Sequence, residues 1–127
     1  MQTYHAIIWL DHREARVFHF DRDDVERLVV HADHPSHHIH HKGTRAEGDD
    51  AEFFEAIIKA IGGSFAILIT GPGVTKTEFV HYIEKHKAEM IANIVAVETV
   101  DHPSDKELVA FARHRFSRDH EILPRVS

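Results

Sequence analysis

Cysteine is absent from this chain. That excludes disulfide bridges, thiolate metal sites and thiol nucleophiles. No apolar run approaches the ~20 residues that a membrane-spanning helix needs, and the first residues show no signal-peptide pattern. Positive charge is in deficit as well: 15 Lys and Arg stand against 21 Asp and Glu, a formal net charge of -6 with histidine neutral. Such a balance argues against a general nucleic-acid binder. There is no internal repeat, and low complexity is confined to one histidine tract. These absences lead to the expectation of a cytoplasmic protein that is not embedded in a membrane.

What is present suits one globular domain over 1–127. A chain of 127 residues buries roughly two-thirds of the surface its unfolded form exposes, and 43% hydrophobic with 28% charged residues is ordinary for that class. The unusual component is histidine, with fourteen residues. All would titrate within about a unit of pH 6.5. Adding fourteen protons to a charge of -6 gives +8, so mild acidification is expected to reverse the sign. Electrophoretic mobility between pH 7.5 and 5.5 tests this, and a flat curve would dispose of it.

His5 to Leu10 is nearly continuous in apolar residues, as a central strand covered on both faces requires. A polar turn, Asp11 to Glu14, leads to a second strand over Ala15–Phe20. Asp21 to Asp24 turns again into a third strand, Arg27–His31. Residues 32–48 have no hydrophobic periodicity and form a loop of unusual length, the kind that carries function or disorder. Asp49 with Glu52 is a helix-capping pattern. Phe53, Phe54, Ile57, Ile58 and Ile61 follow at helical spacing, stopped by Gly62-Gly63.

A fourth strand, Phe65–Thr70, ends in Gly71-Pro72-Gly73. Thr75 with Glu78 repeats the capping pattern and opens a helix bearing Phe79, Val80 and Ile83, which frays near Lys87 before a further turn at Met90 and Ile91. Ile94–Val97 is a fifth strand. Ser104 and Glu107 cap a last helix carrying Leu108, Phe111, Ala112 and Phe116, and a loose tail begins beyond Ser117, at about 118–127. The order is βββαβαβα: an α/β fold with a mixed five-stranded sheet of ribonuclease H-like arrangement.

The glycine turn admits two readings. Its glycines permit positive φ and close backbone approach, and a helix N-terminus favours an anion. Yet it is no Walker loop, and Lys76 stands where a dinucleotide fingerprint has its third glycine. The other reading is a tight strand-to-helix turn with no ligand.

Gly71-Pro72-Gly73-Val74-Thr75-Lys76-Thr77-Glu78-Phe79 closely resembles the Gly-Pro-Gly-Pro-Thr-Lys-Glu-Glu-Phe stretch in the middle domain of archaeal and eukaryotic class I peptide-release factors and their relative Pelota. Other landmarks agree in order. Trp9-Leu10-Asp11 leading to Glu14-Ala15-Arg16 resembles that domain's opening hairpin. Ala96-Val97-Glu98-Thr99 with Ser104-Asp105-Lys106-Glu107-Leu108 resembles its last strand and helix. The likeness runs from about Tyr4 to Phe116, so the chain is similar to a stand-alone middle domain, and it implies the ribonuclease H-like fold and a place in translation.

In release factors, the resemblance implies, the loop after the third strand carries the Gly-Gly-Gln that promotes peptidyl-tRNA hydrolysis on the ribosome. Here that place holds residues 34–45, and Gly-Gly-Gln occurs nowhere. Pelota lacks it too and rescues ribosomes without hydrolysing the ester. The expectation is therefore a protein that is not an enzyme and that contacts the ribosome, ribosomal RNA or a translation factor. His37, His38, His40, His41, Lys42 and Arg45 in the loop, with Gly71, Gly73 and Lys76 in the turn, are its candidate contacts.

Three readings of the loop stay open. His34, His37, His38 and His41 are spaced to share one helical face, whereas His38 and His40 would share one side of an extended strand. Either geometry would offer His34, His37, His38, His40 and His41 as imidazole ligands for a transition metal such as Zn or Ni, with Asp33 as an orienting carboxylate. Pro35 opposes a helix through His34. The second reading is a solvated loop that becomes cationic on acidification or touches RNA, with His41, Lys42 and Arg45 supplying the basic character for phosphate contact. The third is a solvated loop with no ligand.

The remaining histidines carry less. His5 and His19 read as satisfied or edge residues of strands, His81 and His86 as polar positions on a helix, and His102, before Pro103, as part of a turn. A Mg²⁺-dependent nuclease would need convergent carboxylates such as Asp11, Glu98 and Asp101, but each reads more simply as a turn or cap residue. Ser36, Ser64, Ser104 and Ser117 lie in no nucleophile elbow. Pairing of copies through a sheet edge is compatible with the pattern.

Overall fold

β1, His5–Leu10, is buried at every position after His5. A strand covered on both faces must be apolar on both, and β1 divides its side chains between two cores. Ala6, Ile8 and Leu10 join one; Ile7 and Trp9 join the other. The computed structural model describes residues 5–20, 24–32 and 47–122, with backbone alone at 47–49 and 118–122.

β2 (Glu14–Phe20) and β3 (Val25–His31) continue from β1 as an antiparallel meander. β4 (Ala66–Gly71) and β5 (Ile94–Thr99) add parallel strands on its other side, giving the order β3-β2-β1-β4-β5. The expected mixed five-stranded sheet and element order are what the chain forms. α1 (Glu47–Ala60) and α2 (Thr75–His86) cover one face. There Phe53, Phe54, Ile57, Phe79 and Ile83 pack on Ile8, Leu10, Val17, Ile67 and Ile69. α3 (Asp105–Ile122) covers the other, where Leu108, Ala112 and Phe116 meet Ile7, Trp9, Phe18, Phe20 and Leu68. Each large side chain so buried stabilises the fold by about 1.5–3 kcal/mol before entropy is counted.

Several boundaries differ from the sequence expectation, each for a local reason. α1 begins at Glu47, so Asp49 lies within the first turn rather than before it. An acidic residue suits either place, since both lie at the positive end of the helix dipole. Thr75 is the first residue of α2 and is buried, not a cap. The position before it is Val74, already in a right-handed helical conformation, and its carbonyl accepts from the N–H groups of Thr77 and Glu78, both at 2.9 Å. Ser104 and Glu107 do form the reciprocal box: Ser104 N–H donates to Glu107 Oε1 at 2.8 Å, and Glu107 N–H to Ser104 Oγ at 3.1 Å.

α1 ends at Ala60, and Gly63 takes the left-handed φ of 88° that lets the chain turn back into β4. A 3-10 helix, Ala88–Asn93, supplies the extra turn expected near Met90. α3 continues to Ile122, so the helix outlasts the expected start of a loose tail.

Candidate functional site

The glycine turn owes its first glycine to crowding. β4 runs beside β1, and at its last residue the backbone of Gly71 presses on Leu10. A Cβ at Gly71 would sit 2.2 Å from the Leu10 carbonyl oxygen, deep inside van der Waals contact. At Gly73 a Cβ would meet nothing within 4 Å. Neither residue has positive φ; among the described residues only Gly63 does. Of the two liberties that glycine offers, this turn uses close approach alone.

Lys76 is 8% exposed, and its side chain folds back so that Nζ donates to the Gly73 carbonyl oxygen at 2.5 Å. The ammonium thus closes the turn from inside α2, while Gly73 and Val74 face solvent. Gly71, the third expected contact in this motif, is buried in the sheet.

His34, His37, His38, His40, His41, Lys42 and Arg45 lie outside the described residues, but the points from which their segment departs are described. β3 ends at His31, and Ala32 N–H donates to the Arg13 carbonyl at 2.9 Å, fastening the departing chain to the β1–β2 turn. His31 Nδ1 stands 4.0 Å from Glu14 Oε1. Because β1, β4 and β5 run parallel, the glycine turn, the β1–β2 turn and the connection after β5 share one end of the sheet with this departure point. Three strand spacings, about 14 Å, separate β3 from β4 there. The glycine turn and the point at which the histidine segment leaves β3 are therefore at the same end of the sheet. That end also presents His12 and Arg13, both exposed, which sequence reasoning passed over as mere turn residues. It is the carboxyl end of the parallel strands, where open α/β sheets bind their ligands.

The carboxylates considered for metal chemistry are occupied otherwise. Asp11 Oδ1 accepts the backbone N–H groups of Arg13 at 2.8 Å and Glu14 at 3.0 Å, shaping the turn. Glu98 is paired with Arg115 of α3. Asp101 is exposed and contacts the His102 ring nitrogen at 3.1 Å. Among the described residues, no three His, Asp or Glu side chains gather as a metal ion would require.

The described histidines are mostly structural or solvent-facing. His19 is 7% exposed, and its Nε2 donates to the carbonyl oxygen of Ala60 at 2.5 Å, tying β2 to the end of α1. His5 lies 4.5 Å from the Phe116 ring. His86 stacks on Tyr82 at 4.3 Å, and His81 is exposed.

One cluster escaped sequence reasoning. Trp9 and Arg16 are cross-strand partners on the α3 face, the guanidinium 4.6 Å from the indole centroid. Trp9 Nε1 donates to the carbonyls of Asp101 at 2.8 Å and Val100 at 3.1 Å. Arg16 donates to Asp105 at 2.7 Å and to the Pro103 carbonyl at 3.0 Å, and Arg27 of β3 reaches the same carboxylate at 2.7 Å. The signal was an arginine alternating with Phe18 and Phe20 on an otherwise apolar strand face.

No protein-family model matches the chain, and no curated protein matches it in sequence. Solved structures do match in fold. Pelota of Archaeoglobus fulgidus superposes with a TM-score of 0.61 at 15% identity, over 91% of this chain and 32% of that one. The archaeal translation termination factor aRF1 gives 0.55 at 16% identity, over 93% and 39%. Dom34 of S. cerevisiae, a translation termination-like factor, gives 0.56 at 13% identity, over 93% and 36%. The chain thus spans between about a third and two-fifths of the proteins it resembles. Its fold is the ribonuclease H-like α/β fold of the middle domain of Pelota and the class I release factors.

Proposed function

We propose that this chain is a translation-associated binding protein that engages the ribosome, ribosomal RNA or a ribosome-bound factor and catalyses no reaction itself. The observation behind this reading is the fold likeness over more than nine-tenths of the chain to aRF1, a translation termination factor, and to Dom34, a termination-like factor of RNA quality control that interacts with Hbs1. The segment between His31 and Glu47 occupies the place of the release factors' Gly-Gly-Gln loop. With no Gly-Gly-Gln in the chain, a contact role fits it better than ester hydrolysis. In this reading His37, His38, His40, His41, Lys42 and Arg45 meet the partner. His12 and Arg13 lie beside the point where their segment leaves β3, and the exposed Gly73 rim of the turn is a second contact with Gly71 and Lys76 holding it in shape. The protein would work in the cytoplasm.

A second reading draws on five histidines within residues 34–41, a density suited to a transition metal such as Zn or Ni or to a response to acid. One experiment separates the two: co-sedimentation with ribosomes at pH 7.5 and pH 6, for the native chain and for a variant with those five histidines replaced by glutamine. The first reading expects the native chain in the ribosomal fraction and the variant depleted from it. Absence of the native chain at both pH values would sink that reading. A stoichiometric metal in the untagged, unsedimented protein would establish the second.

A further inference from the structure

β5 lies at one edge of the sheet, and among the described residues no strand pairs with its outer side. An edge leaves a row of unpaired backbone N–H and C=O groups, which natural sheets blunt with charges, proline or bulges. The opposite edge obeys that rule: β3 carries Glu26, Arg27 and His31, and Arg27 is clamped to Asp105. β5 does not. It reads Ile94-Val95-Ala96-Val97-Glu98-Thr99, and its one charge is held by Arg115 of its own α3. Val95 and Val97 are each 40% exposed, a large apolar exposure for one short strand. The irregularity in its pairing with β4 is confined to the start, and Ala96 to Thr99 run in regular register.

We propose that β5 pairs with β5 of a second copy of this chain, antiparallel about a two-fold axis, so that the two five-stranded sheets become one continuous sheet. The register follows from the faces. A two-fold axis normal to the sheet keeps each face on its own side, so residues directly opposite share a face. Val97 pairs with Ile69 and belongs to the α1–α2 face; Ala96 pairs with Leu68 and belongs, like Glu98, to the α3 face. Registers that set Ala96 against Val97 are thereby excluded. Centring on Glu98 opposes two carboxylates. Centring on Ala96 sets Val95, the extra residue at the irregularity, against Val97 right beside the axis. Centring on Val97 places it against its own copy and Ala96 against Glu98, and leaves Val95, the extra residue, at the outer end of the ladder. In that register no like charges meet, each Glu98 keeps its Arg115, and the two exposed Val97 side chains meet across the axis. This complementarity of the strand to itself is what selects a second copy over an unrelated strand.

Sedimentation equilibrium of the full chain is expected to show a species of twice the chain mass. Val97→Lys, which would oppose two ammonium groups on the axis, is expected to weaken association by about tenfold or more, whereas Leu28→Lys on the other edge leaves it unchanged. Because the chain has no cysteine, Val97→Cys offers a direct reading. Opposed positions in an antiparallel pair lie within disulfide range, so mild oxidation should yield a covalent dimer, and Leu28→Cys should not. Val97→Cys decides the matter even where Val97→Lys fails to fold. A native chain that stays monomeric at all concentrations, a dimer indifferent to Val97→Lys, or a folded Val97→Cys variant that gives no covalent dimer overturns the proposal.

Discussion

Gly71→Ala is expected to destabilise the protein by about 3–5 kcal/mol, a large share of the ~5–15 kcal/mol that holds a domain together. The new methyl carbon would stand 2.2 Å from the Leu10 carbonyl oxygen, with the Leu10 carbonyl carbon at 3.3 Å. Neither atom belongs to a flexible side chain that can swing away. Relief requires β1 and β4 to separate, and these are the middle strand of the sheet and its inner neighbour, covered by helices on both faces. Close packing offers no slack for such a shift. Urea denaturation should show a lowered midpoint at an unchanged slope. A change of less than about 1 kcal/mol would mean that the strands can part cheaply, and the crowding account would be wrong.

Gly73 provides the internal control. A Cβ there enters open space, and the backbone needs no positive φ. Alanine at Gly73 should therefore be neutral or stabilising by up to about 1 kcal/mol through the unfolded chain. The contrast separates two roles inside one motif. Gly71 serves the sheet and Gly73 the surface, so a partner touching this turn would register Gly73→Ala in binding and not in stability.

That division also shows where sequence reasoning reached its limit. Periodicity identified the five described strands and three described α-helices because each turns an apolar stripe or face toward the core, fully buried in the inner elements and partly so in β3 and β5. Ser104 and Glu107 were legible because both halves of the box are local. Asp49 and Thr75 misled for the same reason: a capping residue type is also acceptable within the first turn of the helix, and only the chain's path decides between them. The glycine motif was visible as a turn, but the reason for Gly71 lies at Leu10, sixty residues earlier, and no local pattern reports it. The same holds for Lys76, whose charge suggested an outward contact while its ammonium turns in to Gly73. Likewise Trp9, Arg16 and Asp105 each appeared within a familiar stretch, and their meeting across some ninety residues is a fact of tertiary structure.

Asp105→Ala should cost about 2–3 kcal/mol, and the loss should be felt at Trp9. Asp105 is the first residue of α3, where its carboxylate faces the positive end of the helix dipole. It also accepts from Arg16 and Arg27 at 2.7 Å each, joining α3 to β2 and β3. The two arms are unequal. The Arg27 side chain is 50% exposed, so its pairing is screened by water and contributes at most about 1 kcal/mol. Arg16 is only 12% exposed, and its Nε is already buried without a partner. Removing the carboxylate would leave a largely buried guanidinium held by one carbonyl and the face of an indole, the circumstance in which a broken ion pair costs most. Arg27→Ala should accordingly shift the denaturation midpoint far less than Asp105→Ala. The Arg16–Asp105 double-mutant cycle should return a coupling of about 1.5–3 kcal/mol. Because Trp9 is the only tryptophan and its N–H is fixed by the carbonyls of Val100 and Asp101, its fluorescence reports on the brace directly. An Asp105→Ala protein with unaltered emission and a midpoint like that of Arg27→Ala would show that α3 is held without the brace, by Leu108, Ala112 and Phe116 and the Arg115–Glu98 pair. The expected result is the contrary one, with the brace fixing the start of α3 at the end of the sheet that carries the glycine turn.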